Sequence, residues 1–161
     1  MAKSTFTSFH YQRDHWRVQQ VLNMGAIEGQ QILSAQKWEE VQRQGHAAIR
    51  KWIDDQMKGK SAVVVLVGTE TASRPWVIYE IEKAWNEQKP LVGIRIHGLK
   101  DKDGYTDSQG EDPFAKIKTT SGTPLSSYLT LHNPMGADSQ AIYRSIDDSL
   151  DNWVARAYKR G

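Results

Sequence analysis

The chain has 161 residues, enough for one domain, residues 1–161, with a sizeable core. Hydrophobic residues make up 39% and charged residues 25%, and 21 basic against 19 acidic residues leave a net charge of +2, so nothing here predicts the strong cationic field of a nucleic-acid binder. The absence of cysteine excludes disulfides and thiolate chemistry and fits a reducing cytoplasm.

The opening Met1-Ala2-Lys3-Ser4-Thr5-Phe6 carries no apolar leader core and runs into a predicted strand at Thr5–Phe9. Asp14 is placed to cap a helix that continues to Leu22, with Val18, Val21 and Leu22 as its buried stripe. Gly25 and Gly29 break the chain, and a short second strand is predicted at Gln31–Ser34. Lys37–Gly45 is expected as a loop, followed by a helix over His46–Met57 that Gly59 ends. Ala62–Val67 is a continuous β-branched run, the pattern of a central strand covered on both faces. That apolar stretch is far too short to span a bilayer, so no membrane partner is expected.

Pro75 opens a strongly helical run from Trp76 to Gln88. Leu91–Ile96 is a fourth strand and Lys100–Gly110 a solvated loop. Pro113–Ile117 reads as a short helix, and Tyr128–His132 as an edge strand. Asp138 or Ser139 caps a last helix with the regular stripe Ile142, Ile146, Leu150, Trp153 and Val154. This alternation predicts a three-layer α/β fold with a mostly parallel sheet and helices on both faces.

In such a sheet the turn from a strand's carboxyl end into the next helix faces the ligand crevice. Glu80 lies about one turn into a helix at that edge, with Trp76 four residues before it on the same face. On spacing alone Glu80 could be one more carboxylate on an amphipathic helix, like Glu82 and Glu87. The chain has no Gly-x-x-x-x-Gly-Lys, no Gly-x-Gly-x-x-Gly and no His-Glu-x-x-His, which excludes a P-loop kinase, a Rossmann dehydrogenase and that zinc-protease motif. No metal site is expected: His46, His97 and His132 lack ligand spacing, and Asp101-x-Asp103-Gly104 has no distal ligands to complete a calcium loop.

Trp76-Val77-x-x-Glu80-Ile81 resembles the W-x-x-x-E element of TIR domains, whose glutamate is catalytic in members that cleave NAD. Phe6-Thr7-Ser8-Phe9-His10-Tyr11-Gln12, Lys37-Trp38-Glu39, the block Arg74 to Ile81 and Lys100-Asp101-Lys102-x-Gly104 together are similar to the TIR-like (B) subunit of bacterial Thoeris anti-phage systems. The resemblance implies a flavodoxin-like, five-stranded sheet of order 2-1-3-4-5, its switch point between the first and third strands. It implies Glu80 as the catalytic residue and NAD+ as substrate rather than cofactor, with no other cofactor. It also implies a product, a cyclic ADP-ribose isomer or ADP-ribose, that signals to a separate effector, and self-association or a phage-protein trigger. Substrate-binding positions follow at Ser8, Phe9, His10, Tyr11, Trp38, Thr69 and Trp76. Phe9 fits stacking on nicotinamide or a sheet-end core position, Ser8 fits donation to a phosphate or passive packing, and Trp38 fits an interface, an adenine platform or a lid over the core. Two departures stand out. His10-Tyr11 replaces the basic pair of many TIR domains, leaving Arg13 as the first full cation, and Ser34-Ala35 stands where many carry an aspartate. A non-catalytic TIR interaction module, or one that senses a nucleotide, are the competing readings.

Overall fold

Strands and helices alternate from the first residues onward in the computed structural model, which describes residues 3–30 and 32–161. Lys3–Ser8 (β1) leads into Tyr11–Leu22 (α1), then Ile27–Glu28 (β2), Ala35–Arg43 (α2) and His46–Met57 (α3). Ala62–Val67 (β3), Pro75–Asn86 (α4), Leu91–Arg95 (β4), Leu131–His132 (β5) and Ser139–Ala155 (α5) complete the order, with short 3₁₀ turns at Thr71–Ser73, Pro113–Lys116 and Leu125–Ser127. The strands form one parallel sheet of order β2-β1-β3-β4-β5.

β3 is buried at all of its positions, and its alternation divides the core in two. Val63, Val65 and Val67 join Phe6 beneath α3 and α4, with Trp38 and Val41 of α2 against the edge. Ala62, Val64 and Leu66 face the other way, onto Val18 and Val21 of α1 and Ile146, Leu150 and Val154 of α5. A strand covered on both faces has no polar side, which is why it is a run of aliphatics rather than an alternating sequence. Each such side chain contributes roughly 1.5–3 kcal/mol by leaving water.

Three local expectations are corrected. The second strand is Ile27–Glu28, pairing with Lys3 and Ser4, while residues 32–34 are not in a strand and Gln31 lies outside the described residues. Beyond those two pairs the Gln30 side chain takes over: its carbonyl accepts from the Thr7 N–H at 2.8 Å, and its amide donates to the Thr7 carbonyl at 2.9 Å. One side chain thus satisfies the β1 edge, so no longer strand is needed.

Residues 35–43 are helical where a loop was expected. Ser34 caps α2 by accepting from the Lys37 N–H at 3.2 Å, and Trp38 and Val41 turn one face of it to the core. Asp14 is not a cap. His10 occupies the N-cap position of α1, and the Asp14 carboxylate is fully buried against Arg17 Nη1 at 3.0 Å. It lies where β3 ends: a Cβ added to Gly68 would stand 2.1 Å from Asp14 Oδ2. The tertiary ion pair outweighs the local preference of aspartate for a cap. Asp138, by contrast, caps α5 by accepting from the Ala141 N–H at 2.9 Å.

Candidate functional site

The site is made where β1, α1, α2 and α4 meet at the carboxyl edge of the sheet. Pro75 occupies the first turn of α4, where its missing N–H leaves no bond broken. The buried face of that helix then reads Val77, Glu80, Ile81, Ala84. Glu80 therefore sits on the apolar stripe, in contrast to the exposed Glu82 and Glu87. It is 8% exposed. Its Oε1 accepts a hydrogen bond from Ser8 Oγ at 2.6 Å, and no cation pairs with it among the described residues. Burial pushes its pKa up to about 8, with the Ser8 bond pulling in the opposite direction.

Glu80 lies on a hollow of roughly 100 Å³ whose wall is aromatic. Phe9 stacks on Tyr11 at 5.8 Å between ring centroids, Tyr11 on Trp38 at 5.9 Å, and Trp52 meets Trp38 edge-on at 5.6 Å. Trp76 lines the same hollow one turn before Glu80 and is held edge-on by Tyr79 and His46. A second, wider hollow of about 490 Å³ adjoins it, and Tyr11, Gln12 and Trp38 line both. One hydroxyl of the inner wall, Tyr11 Oη, is buried without a hydrogen-bond partner among the described residues. Buried polar groups are rarely left so, and this one suits a polar ligand.

The sequence-derived positions are distributed as follows. Glu80, Phe9, His10, Tyr11, Trp38 and Trp76 come together around the inner hollow. Ser8 reaches it only through Glu80, since its hydroxyl is engaged there. Thr69 does not line the hollow; its hydroxyl donates to the Ser108 carbonyl and fastens the loop after β4 to the end of β3. His10 is buried, and its Nε2 lies 3.8 Å from Glu70 Oε2. Burial and the nearby Arg74 and Arg13 push its pKa down, against the opposing effect of Glu70.

Arg13, the first cation after β1, is not free. It binds Glu70 at 2.8 Å and forks onto Asp107 at 2.7 and 3.1 Å. The cation that remains at the hollow is Arg74, exposed and without an ion-pair partner among the described residues. Sequence reasoning put Arg74 in the stretch that carries the chemistry but gave it no role, and it missed Gln30 and Trp52. The only signal for Arg74 was its position two residues before Trp76. Among the described residues no group of three or more His, Cys, Asp or Glu side chains is gathered to hold a metal, and no helix is long and apolar enough to cross a membrane.

A parallel sheet of this order, with an acid on the inner stripe of the helix after β3 facing the end of β1, defines a TIR-like domain. Residues 6–101, more than half of the chain, match the family of the Thoeris protein ThsB, TIR-like domain, and the chain belongs to that family. It is also 35% identical over 124 residues to a protein of Bacillus cereus (strain MSX-D12) named "Putative cyclic ADP-D-ribose synthase ThsB1". That alignment covers 71% of this chain and 62% of the relative, so the chain spans less than two thirds of the relative's length.

Proposed function

We propose that the protein cleaves the nicotinamide–ribose bond of NAD+ and joins the ADP-ribosyl group to an acceptor in the same molecule, giving a cyclic ADP-ribose signal. One observation carries the reading: Glu80 is buried on an aromatic-walled hollow, oriented by Ser8 and not neutralised by a cation. The name of the Bacillus cereus relative supports the same class of product.

The chemistry fits one carboxylate. Nicotinamide leaves as a neutral ring because its nitrogen starts out positively charged, so no acid is needed to protonate it. What the transition state requires is stabilisation of the cation growing on the ribose, and a carboxylate beside that ring supplies it while accepting from the ribose hydroxyls. With a pKa of about 8, Glu80 is mostly protonated at neutral pH in the free protein. The pyridinium of NAD+ favours its ionised form, as an opposite charge within about 4–6 Å does. Substrate binding and loss of the Glu80 proton are therefore coupled.

The remaining groups fall into roles. Phe9 and Trp76 flank the nicotinamide ring and keep water from Glu80, Arg74 meets the diphosphate, and Tyr11 and Trp38 lead toward the outer hollow that takes the adenosine half. Use of NAD+ as substrate places the protein in the cytoplasm, and the product acts on a separate effector once phage infection triggers synthesis.

The test is made in extracts of phage-challenged cells that produce the protein, assayed for nicotinamide and ADP-ribose species by mass spectrometry. Glu80→Gln should retain the fold and lose nicotinamide release by at least about a hundredfold. Equal release by parent and variant would sink the assignment and leave the interaction-module reading.

A further inference from the structure

We propose that His10 is the general base of ring closure: it takes the proton from an adenosine hydroxyl as that oxygen bonds to the ribosyl carbon. This rests on the reading of Glu80 given above, and adds to it a second catalytic residue with a separate job.

The balance of the step calls for such a group. The bond from the ribosyl carbon to the nicotinamide nitrogen breaks, and its electron pair returns to the ring, which leaves neutral. The adenosine hydroxyl oxygen donates a lone pair to the same carbon. That oxygen then carries a proton it must lose, and nothing is oxidised or reduced. Nicotinamide departs as a neutral base and does not need to collect the proton. Attack by a ring nitrogen of adenine would not require removal of a hydroxyl proton at this step, so a positioned base marks the oxygen route.

Among the titratable groups on the inner hollow, His10 alone has the required form. Arg74 carries a guanidinium, which has donors and no acceptor to take a proton. Burial pushes the Tyr11 phenol up, so it resists ionisation. Glu80 accepts from Ser8 and is placed against the developing cation. The His10 imidazole is at the N-cap position of α1 yet makes no capping hydrogen bond, so helix termination does not consume its lone pair. Burial together with Arg74 and Arg13 keeps it neutral near pH 7, the form that can accept a proton. Glu70, with Oε2 at 3.8 Å from Nε2 and itself anchored by Arg13 at 2.8 Å, partly compensates the charge that appears once the proton arrives. At that distance Glu70 acts on the imidazolium through charge and not through a hydrogen bond.

The experiment compares the parent protein with His10→Asn and His10→Gln in the same cell extracts, reading total nicotinamide and the ratio of cyclic to linear ADP-ribose. The cyclic-to-linear ratio should fall about a hundredfold, with cyclic product lost out of proportion to nicotinamide, as water captures the cation instead. An unchanged ratio, or nicotinamide and cyclic product falling in parallel, would overturn the role. His10→Gly supplied with free imidazole is the second arm: recovery of the cyclic product supports it, and no recovery counts against it. Glu80→Gln must stop both products; if it does not, or if the parent releases no nicotinamide, the reading beneath the proposal fails, an outcome distinct from a failure of His10 alone.

Discussion

Ser8 Oγ stands 2.6 Å from Glu80 Oε1, joining the last residue of β1 to the second turn of α4. The two are 72 positions apart in the chain. The bond orients an acid that burial alone would leave undirected. It also opposes the upward push of burial on the pKa.

Ser8→Ala should therefore raise the Glu80 pKa above about 8, because the interaction favouring the ionised form is lost while burial remains. The acid limb of the pH profile of kcat/KM should move to higher pH, and the rate at pH 7 should drop by about tenfold for each pH step of displacement. A limb that stays in place would mean the hydroxyl does not govern this acid.

Glu80→Gln should stabilise the fold, increasingly so as pH rises. The folded-state pKa is raised from 4.5 to about 8. Below the lower value both states are protonated and the carboxyl contributes no pH dependence. Between the two values the folded state holds the proton more tightly than the unfolded state, so parental stability falls with rising pH and levels off beyond the upper value. The glutamine lacks that loss. Urea melts at pH 8.5 should show the variant ahead by about 2–4 kcal/mol, and melts near pH 4 by much less.

Arg17→Met should destabilise by about 3–5 kcal/mol, since it strands the fully buried Asp14 carboxylate. It also removes the Nε bond to the Leu99 carbonyl at 2.8 Å and the Nη2 bond to the Tyr105 carbonyl at 2.9 Å, which hold the loop after β4. Adding Asp14→Asn should recover part of the loss, because the stranded charge is gone. Denaturant melts of the single and double variants measure this directly.

Arg74→Gln should raise KM for NAD+ by about 10- to 100-fold, the worth of one charge-assisted contact, with kcat within a few-fold. Nicotinamide riboside, which has no diphosphate, should be cleaved by parent and variant alike. A matching loss on both substrates would show that Arg74 does not read the diphosphate.

Much of this protein was legible from residue order. The aliphatic run of β3, the Pro75 start of α4 and the stripe of α5 each follow from local periodicity, and strand–helix alternation with right-handed crossovers leaves few topologies. On spacing alone Glu80 looked like Glu82 and Glu87; the W-x-x-x-E resemblance singled it out, and its place on the inner stripe beside Val77, Ile81 and Ala84 came from the structure. Tertiary contact decided the rest. Two residues suffice for β2 because Gln30 finishes the edge of β1 with its side chain. Asp14 abandons capping for a buried partner, and Arg13 is drawn to Asp107, 94 positions away, which leaves Arg74 as the cation at the hollow. Backbone propensities and apolar periods act over a few residues and can be read along the chain. The partner of a charged side chain is set by which distant segments fold against it, and that is fixed only in three dimensions.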